Sequence, residues 1–232
     1  IKKLYCMKEM KYLISTVGLS DNENISYSLD SAYSIFFNKY NIDILPVRNF
    51  SNLHDLEKDE YIKSMDDYDG IIISGSGDIK IPSNQIYPGK KSKYSFERDF
   101  TENYLIKRAI DKSKKIIGIC HGMQKINEFF GGQLSPYYHC HTATYSDQGI
   151  EHLVVSSDSV LGNKEYIVNQ YHDHCITHNN LSSIMDVVAV DVRFNTIECF
   201  KNNELNIMCM QWHPERRVST SEISTKLFDN FL

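Results

Sequence analysis

At 232 residues, with 25 Lys and Arg against 30 Asp and Glu and a formal net charge of −5, the chain can bury a proper core and lacks the basic balance of a general nucleic-acid binder. No linker, repeat, charge block or low-complexity tract divides it, so one domain over residues 1–232 is expected, with residues 1–10 a short polar leader. No apolar run approaches the roughly 20 residues that span a bilayer, and six cysteines without a Cys-x-x-Cys pair favour a reduced, cytoplasmic protein with one reactive thiol over a disulfide framework.

Residues 11–16 read as the first strand, followed by a polar loop over 20–24. The spacing of Leu29, Ala32, Ile35 and Phe36 predicts a helix over 27–39 with those side chains inward. Residues 42–47 form the second strand, and Ile71-Ile72-Ile73 a buried one that ends in Ser74-Gly75-Ser76-Gly77. A long helix over 96–113 follows, with Phe96, Phe100 and Tyr104 marking its inner face. Residues 114–117 are again a β-branched apolar run, and 125–130 carry apolar residues at helical spacing up to Gly131-Gly132. A last strand spans 206–211. Strands alternating with helices predict an α/β, doubly wound, mostly parallel sheet, in which reactive groups collect at the carboxyl ends of the strands.

Between strand and helix stands Gly118-Ile119-Cys120-His121-Gly122, a Gly-x-Cys-x-Gly turn with the pattern of a nucleophile elbow. Such a turn lifts the sulfur clear of the sheet, places it at a helix N-terminus that favours the thiolate, and frees the His121 N–H for an oxyanion. A structural cysteine at a strand end fits the same position, but the paired glycines favour the nucleophile. The Gly75-Ser76-Gly77 turn lacks the rest of a phosphate-binding motif. It reads either as a loop offering backbone N–H groups to an oxyanion or as an ordinary tight turn.

A cysteine nucleophile needs a base. Of nine histidines, His139-Cys140-His141 and His172-Asp173-His174 have a spacing used by metal sites, but no further paired ligands accompany them, so no metal or other cofactor is expected. His213 is the informative one, at a strand end in Gln211-Trp212-His213-Pro214-Glu215. Pro214 stops the strand and holds Glu215 on the same side, where a carboxylate can fix the imidazole tautomer. The bland alternative is a His-Pro turn with a solvated glutamate.

Together these stretches resemble the class I glutamine amidotransferases, a flavodoxin-like fold, and within them the free-standing γ-glutamyl hydrolases of the peptidase C26 type. The resemblance extends to Phe96-Glu97-Arg98-Asp99 with Glu102, Asn127 with Gly131-Gly132-Gln133-Leu134, His141, Val168-Asn169-Gln170-Tyr171-His172-Asp173-His174 and Thr196-Ile197-Glu198. It implies Cys120 as nucleophile, His213 as base and later acid, and Glu215 as its orienter. It also implies an oxyanion hole from the N–H groups at Ser76 and His121, and substrate contacts from Gly75, Gln124, Tyr171 and His172. The chain departs from the family at Gly75-Ser76, where a glycine pair is usual, at His121 in place of arginine, and at Gln170 in the Asn-Ser-x-His loop. The pattern is most similar to the γ-glutamyl-CDP-amidate hydrolases of capsule phosphoramidate biosynthesis. Their kind of substrate would put Arg216, Arg217 or residues 90–93 against a pyrophosphate. The alternatives are a γ-glutamyl-γ-aminobutyrate hydrolase or the glutaminase subunit of an amidotransferase. The partner expected is a small γ-glutamyl compound, with no nucleic acid or membrane; a homodimer is compatible with the pattern.

Overall fold

The structure, a computed structural model, describes residues 9–21, 24–50, 57, 60, 61, 63, 67–80, 92–135, 151–216 and 221–232. Its parallel strands are β1 (Met10–Ser15), β4 (Ile42–Val47), β5 (Gly70–Ile73), β6 (Lys115–Ile119) and β11 (Ile207–Met210). The last three are short apolar runs buried along almost their whole length, as strands covered on both faces must be. Four further strands, β7 (Glu151–Ser156), β8 (Lys164–Asn169), β9 (Asp186–Asp191) and β10 (Ile197–Asn202), extend the sheet in antiparallel fashion. The order is β4-β1-β5-β6-β11-β10-β9-β7-β8.

Helices cover both faces. On one, Tyr33, Phe36 and Phe37 of α1 (Ser31–Asn38) meet Phe228 of α4 (Ser221–Phe231) over Tyr12, Ile14, Ile72 and Ile117. Trp212 is fully buried there, and its Nε1–H donates to Ser224 Oγ at 3.1 Å, fixing α4. On the other face, Leu105 and Ile106 of α2 (Phe96–Asp111) and Met123 and Ile126 of α3 (His121–Phe129) pack over Leu13, Ile71, Ile73 and Ile116. The expected doubly wound α/β architecture is therefore present, with an antiparallel half added. No described helix is long and apolar enough to cross a membrane.

Several local expectations give way. The loop over 20–24 belongs instead to a hairpin, β2 (Val17–Asp21) with β3 (Asn24–Ser28). That hairpin consumes Tyr27, so α1 starts later, where the Asp30 carboxylate caps the Ala32 N–H at 3.0 Å. Its inner face then turns to Tyr33, Phe36 and Phe37 and leaves Ile35 67% exposed. In α2 the inward stripe is Arg98, Thr101, Glu102, Leu105, Ile106 and Ala109, and Phe96 is 60% exposed. Phe100 and Tyr104 do pack inward, against Phe50 and the core, as expected, but at the flank of a stripe centred on the buried polar network described below. The helix after the elbow begins at His121, which leaves Cys120 at its N-terminus as expected. Cys175 is disulfide-bonded, against the expectation of a wholly reduced chain, whereas Cys120, Cys199 and Cys209 are free.

Candidate active site

Three strand ends converge on Cys120. Strand β6 stops at Ile119, and Cys120 adopts φ 52° and ψ −103°, a backbone conformation that costs a non-glycine residue on the order of 1–2 kcal/mol. It is tied down by its own N–H, which donates to the Met210 carbonyl of β11 at 2.8 Å. Gly122 makes the turn feasible, because a Cβ there would run into the Ile73 carbonyl of β5. The sulfur thus stands at the first turn of α3, where the unpaired N–H groups of a helix start favour negative charge.

Strand β11 delivers His213. Its Nδ1 lies 2.6 Å from Glu215 Oε1, and the ring is near enough to the Cys120 side chain for the two to interact electrostatically. Burial alone would disfavour imidazolium, but Cys120 first and Glu215 second outweigh it and raise the His213 pKa to about 9. A ring so poised carries a proton at neutral pH, beside the Cys120 sulfur. Its backbone is clamped by Asn169 at the end of β8, whose amide donates to the His213 carbonyl at 2.8 Å and accepts from its N–H at 2.9 Å. The Tyr171 ring meets the imidazole in a T-shaped arrangement, centroids 5.5 Å apart. The Arg216 guanidinium covers Tyr171 at 4.8 Å and lies 3.7 Å from Glu215.

The third strand end is that of β5. Gly75 donates its N–H to the buried Tyr33 hydroxyl at 2.8 Å, and a Cβ at Gly75 would collide with His213 Cε1. Gly75 therefore makes room for the imidazole and has no N–H left for substrate. Burial, with Glu215 nearby, holds the Tyr33 phenol well above its usual range and so neutral. Ser76 follows at φ 74°, and no hydrogen bond among the described residues engages its N–H. The His121 N–H, at the first position of α3, likewise has no i−4 carbonyl to pair with.

The other expected contacts are placed differently. Gln124 is buried and spends its amide N–H on the His174 carbonyl at 3.4 Å and Gln211 Oε1 at 3.3 Å. Gln211 in turn donates to Cys120 Sγ at 3.6 Å, so it, and not Gln124, touches the sulfur. His172 Nδ1 is 2.9 Å from the His174 carbonyl, and its Nε2 is 3.8 Å from Glu198. Sequence reasoning gave no role to Gln211, Asn169 or Tyr33; only the Asn169 and Gln211 motifs were visible, as parts of a resemblance. Among the described residues no group of three or more His, Cys, Asp or Glu could hold a metal ion. His139, His141, Lys90, Lys91 and Arg217 lie outside the described residues.

Comparison with known proteins gives a consistent picture. A family model described as Peptidase C26 matches residues 50–215. The glutamine amidotransferase-like protein YvdE of Lactococcus lactis is 28% identical over 219 residues, covering 89% of this chain and 88% of its own. The gamma-glutamyl-CDP-amidate hydrolase of Campylobacter jejuni is 26% identical over 153 residues, covering 66% of this chain and 65% of that one. Among solved structures, PurLQS from Thermotoga maritima superposes with a TM-score of 0.60 at 16% identity, over 96% of this chain and 97% of that one. A glutamine amidotransferase from the same organism gives 0.55 at 13% identity, over 96% and 83%.

Proposed function

The chain belongs to the Peptidase C26 family, and from that premise we propose that it hydrolyses a γ-glutamyl amide through a thioester on Cys120. The observation that carries this reading is the strained Cys120 turn facing a His213 that is itself held at 2.6 Å by Glu215. His213, which already holds the proton given up by the thiol, faces the sulfur as it attacks the γ-carbonyl carbon. The oxygen, now negative, is met by the N–H groups of Ser76 and His121. On collapse the C–N bond breaks and the imidazolium gives its proton to the leaving nitrogen. His213 then takes a proton from water, which attacks the thioester, releasing glutamate and the free thiol.

For the substrate we propose γ-glutamyl-CDP-amidate, cleaved to glutamate and cytidine diphosphoramidate, a step in capsule modification. The named function of the Campylobacter relative supports this. So does the Arg216–Tyr171 pair at the rim, a guanidinium and a ring suited to a diphosphate and a base. The test compares kcat/KM for γ-glutamyl cytidine diphosphoramidate, γ-glutamyl-γ-aminobutyrate, folyl-polyglutamate and glutamine under one set of conditions. The nucleotide compound is expected to lead by at least about 100-fold, roughly 2.7 kcal/mol of transition-state discrimination. Equal rates with γ-glutamyl-γ-aminobutyrate overturn the nucleotide assignment. Glutaminase activity that needs an added synthetase points instead to an amidotransferase subunit.

A further inference from the structure

Beneath the loop that carries Ser76 lies a fully buried charged network that the chemistry above does not use. Arg98 and Glu102 stand one turn apart on α2, 3% and 0% exposed, with Arg98 Nε donating to Glu102 Oε1 at 2.7 Å. Every remaining edge of the guanidinium is turned on the loop. Nη2 donates to the Ser74 carbonyl at 2.8 Å and reaches the Gly75 carbonyl at 3.4 Å, and Nη1 donates to the Ser76 carbonyl at 2.5 Å. The other carboxylate oxygen, Glu102 Oε2, is 2.8 Å from His121 Nε2. Burial opposes the charge on Glu102, yet Arg98 and His121 hold its pKa down at about 2, so the His121 nitrogen facing it is the N–H donor.

This geometry bears on the two N–H groups assigned to the oxyanion. In a trans peptide the carbonyl and the following N–H point in opposite directions. Arg98 draws the Gly75 carbonyl toward α2, which turns the Ser76 N–H the other way, away from α2. The same cation, by gripping the carbonyls on either side of Cα, holds Ser76 at its φ of 74°, a value that a serine rarely adopts unaided. Glu102 then anchors the side chain of His121, the residue whose own N–H is the second donor. One ion pair therefore reaches both halves of the pocket, which come from different strand ends. A buried pair of this kind is weak evidence for stability, since apolar residues of equal size often serve as well or better, so its presence calls for another reason.

We propose that Arg98 and Glu102 are positioning residues that hold the Ser76 and His121 N–H groups at the separation the oxyanion requires. The proposal rests on the acyl-transfer reading of Cys120 and adds to it the parts that preorganise the hole. It predicts a loss at the transition state and not in binding. Arg98→Lys keeps the charge but cannot fork to three carbonyls, and Glu102→Gln keeps the shape but not the charge.

The experiment uses the full chain carrying each substitution, with native-like circular dichroism required, and three probes. For γ-glutamyl amide hydrolysis, kcat is expected to fall by about 30-fold or more with KM within about threefold of wild type. Acylation of Cys120 by p-nitrophenyl acetate, in which the sulfur forms a thioester and p-nitrophenolate leaves, should slow in parallel. Alkylation of Cys120 by iodoacetamide forms no oxyanion and should stay within about twofold. A rise in KM with unchanged kcat, or alkylation slowed as much as acylation, overturns the proposal, the second because it shows a site that has merely loosened. A wild type that cleaves no γ-glutamyl amide sinks the functional reading alone, because the p-nitrophenyl acetate comparison still tests the network. Should Glu102→Gln fail to fold, Arg98→Lys decides by the same criteria.

Discussion

At His213, burial and neighbouring charge oppose each other, and the charge wins. Its pKa rises from 6.5 to about 9, with Cys120 the leading favourable cause after burial is overcome. A group whose pKa is raised on folding stabilises the protein fully below its unfolded pKa and loses that contribution as pH climbs through the folded one. Stability from His213 should therefore be complete below about pH 6.5 and gone above about 9, a difference on the order of 3 kcal/mol. Thermal melts at pH 6 and 9.5 should show this loss in wild type, and it should shrink in Cys120→Ala, where the main cause is gone. An NMR titration of the His213 ring that places it near 6.5 in both proteins would refute it. Loss of the imidazole in His213→Ala should leave almost no turnover, while Glu215→Gln should retain more, since nucleophile and oxyanion donors survive. Equal activity of Glu215→Gln and wild type would remove Glu215 from the account. That Cys120, His213 and Glu215 come together was legible because the elbow and the His-Pro-Glu tripeptide are local patterns. Asn169, Gln211 and Tyr33 act across 44, 91 and 42 residues of sequence, and no local spacing announces such contacts.

Among the elements, the helix and strand types were readable from period and β-branching, while inner faces and starts were not. The apolar spacing of Leu29, Ala32, Ile35 and Phe36 suggested one stripe, but the β2–β3 hairpin claims the chain up to Ser28 and shifts the helix to begin at the Asp30 cap. In α2 Phe100 and Tyr104 pack inward as read, but Phe96 is exposed and the centre of the inner face belongs to Arg98 and Glu102, because a buried ion pair that holds the loop must face it. The antiparallel strands β7 to β10 were missed altogether: β7 and β8 alternate exposed and buried positions, a signal weaker than the apolar runs of β5, β6 and β11. The short α1 matters to the chemistry because it carries Tyr33 under Gly75. Asp30→Ala should cost about 1 kcal/mol of unfolding free energy, measured by urea denaturation, with little effect on kcat. Tyr33→Phe should do more harm, stranding the buried Gly75 N–H at a cost of about 1–3 kcal/mol and lowering kcat as the loop shifts. Unchanged kcat and stability in Tyr33→Phe would show that the Gly75 contact is dispensable.

Across the whole molecule, five parallel strands set Cys120, His213 and Gly75 at one edge, and the antiparallel half supplies Asn169 to clamp the His213 backbone. Fold class and the elbow followed from alternation and from two glycines; the cysteine chemistry did not, since the disulfide at Cys175 contradicts a reading based on the absence of paired spacing. On the proposed function, this geometry serves one covalent event. Rapid quenching during turnover of a γ-glutamyl substrate, followed by peptide mass analysis, should find a γ-glutamyl group on the peptide containing Cys120 and none in Cys120→Ala, which should also be inactive. Turnover by Cys120→Ala, or a glutamyl adduct on another residue, would contradict the account.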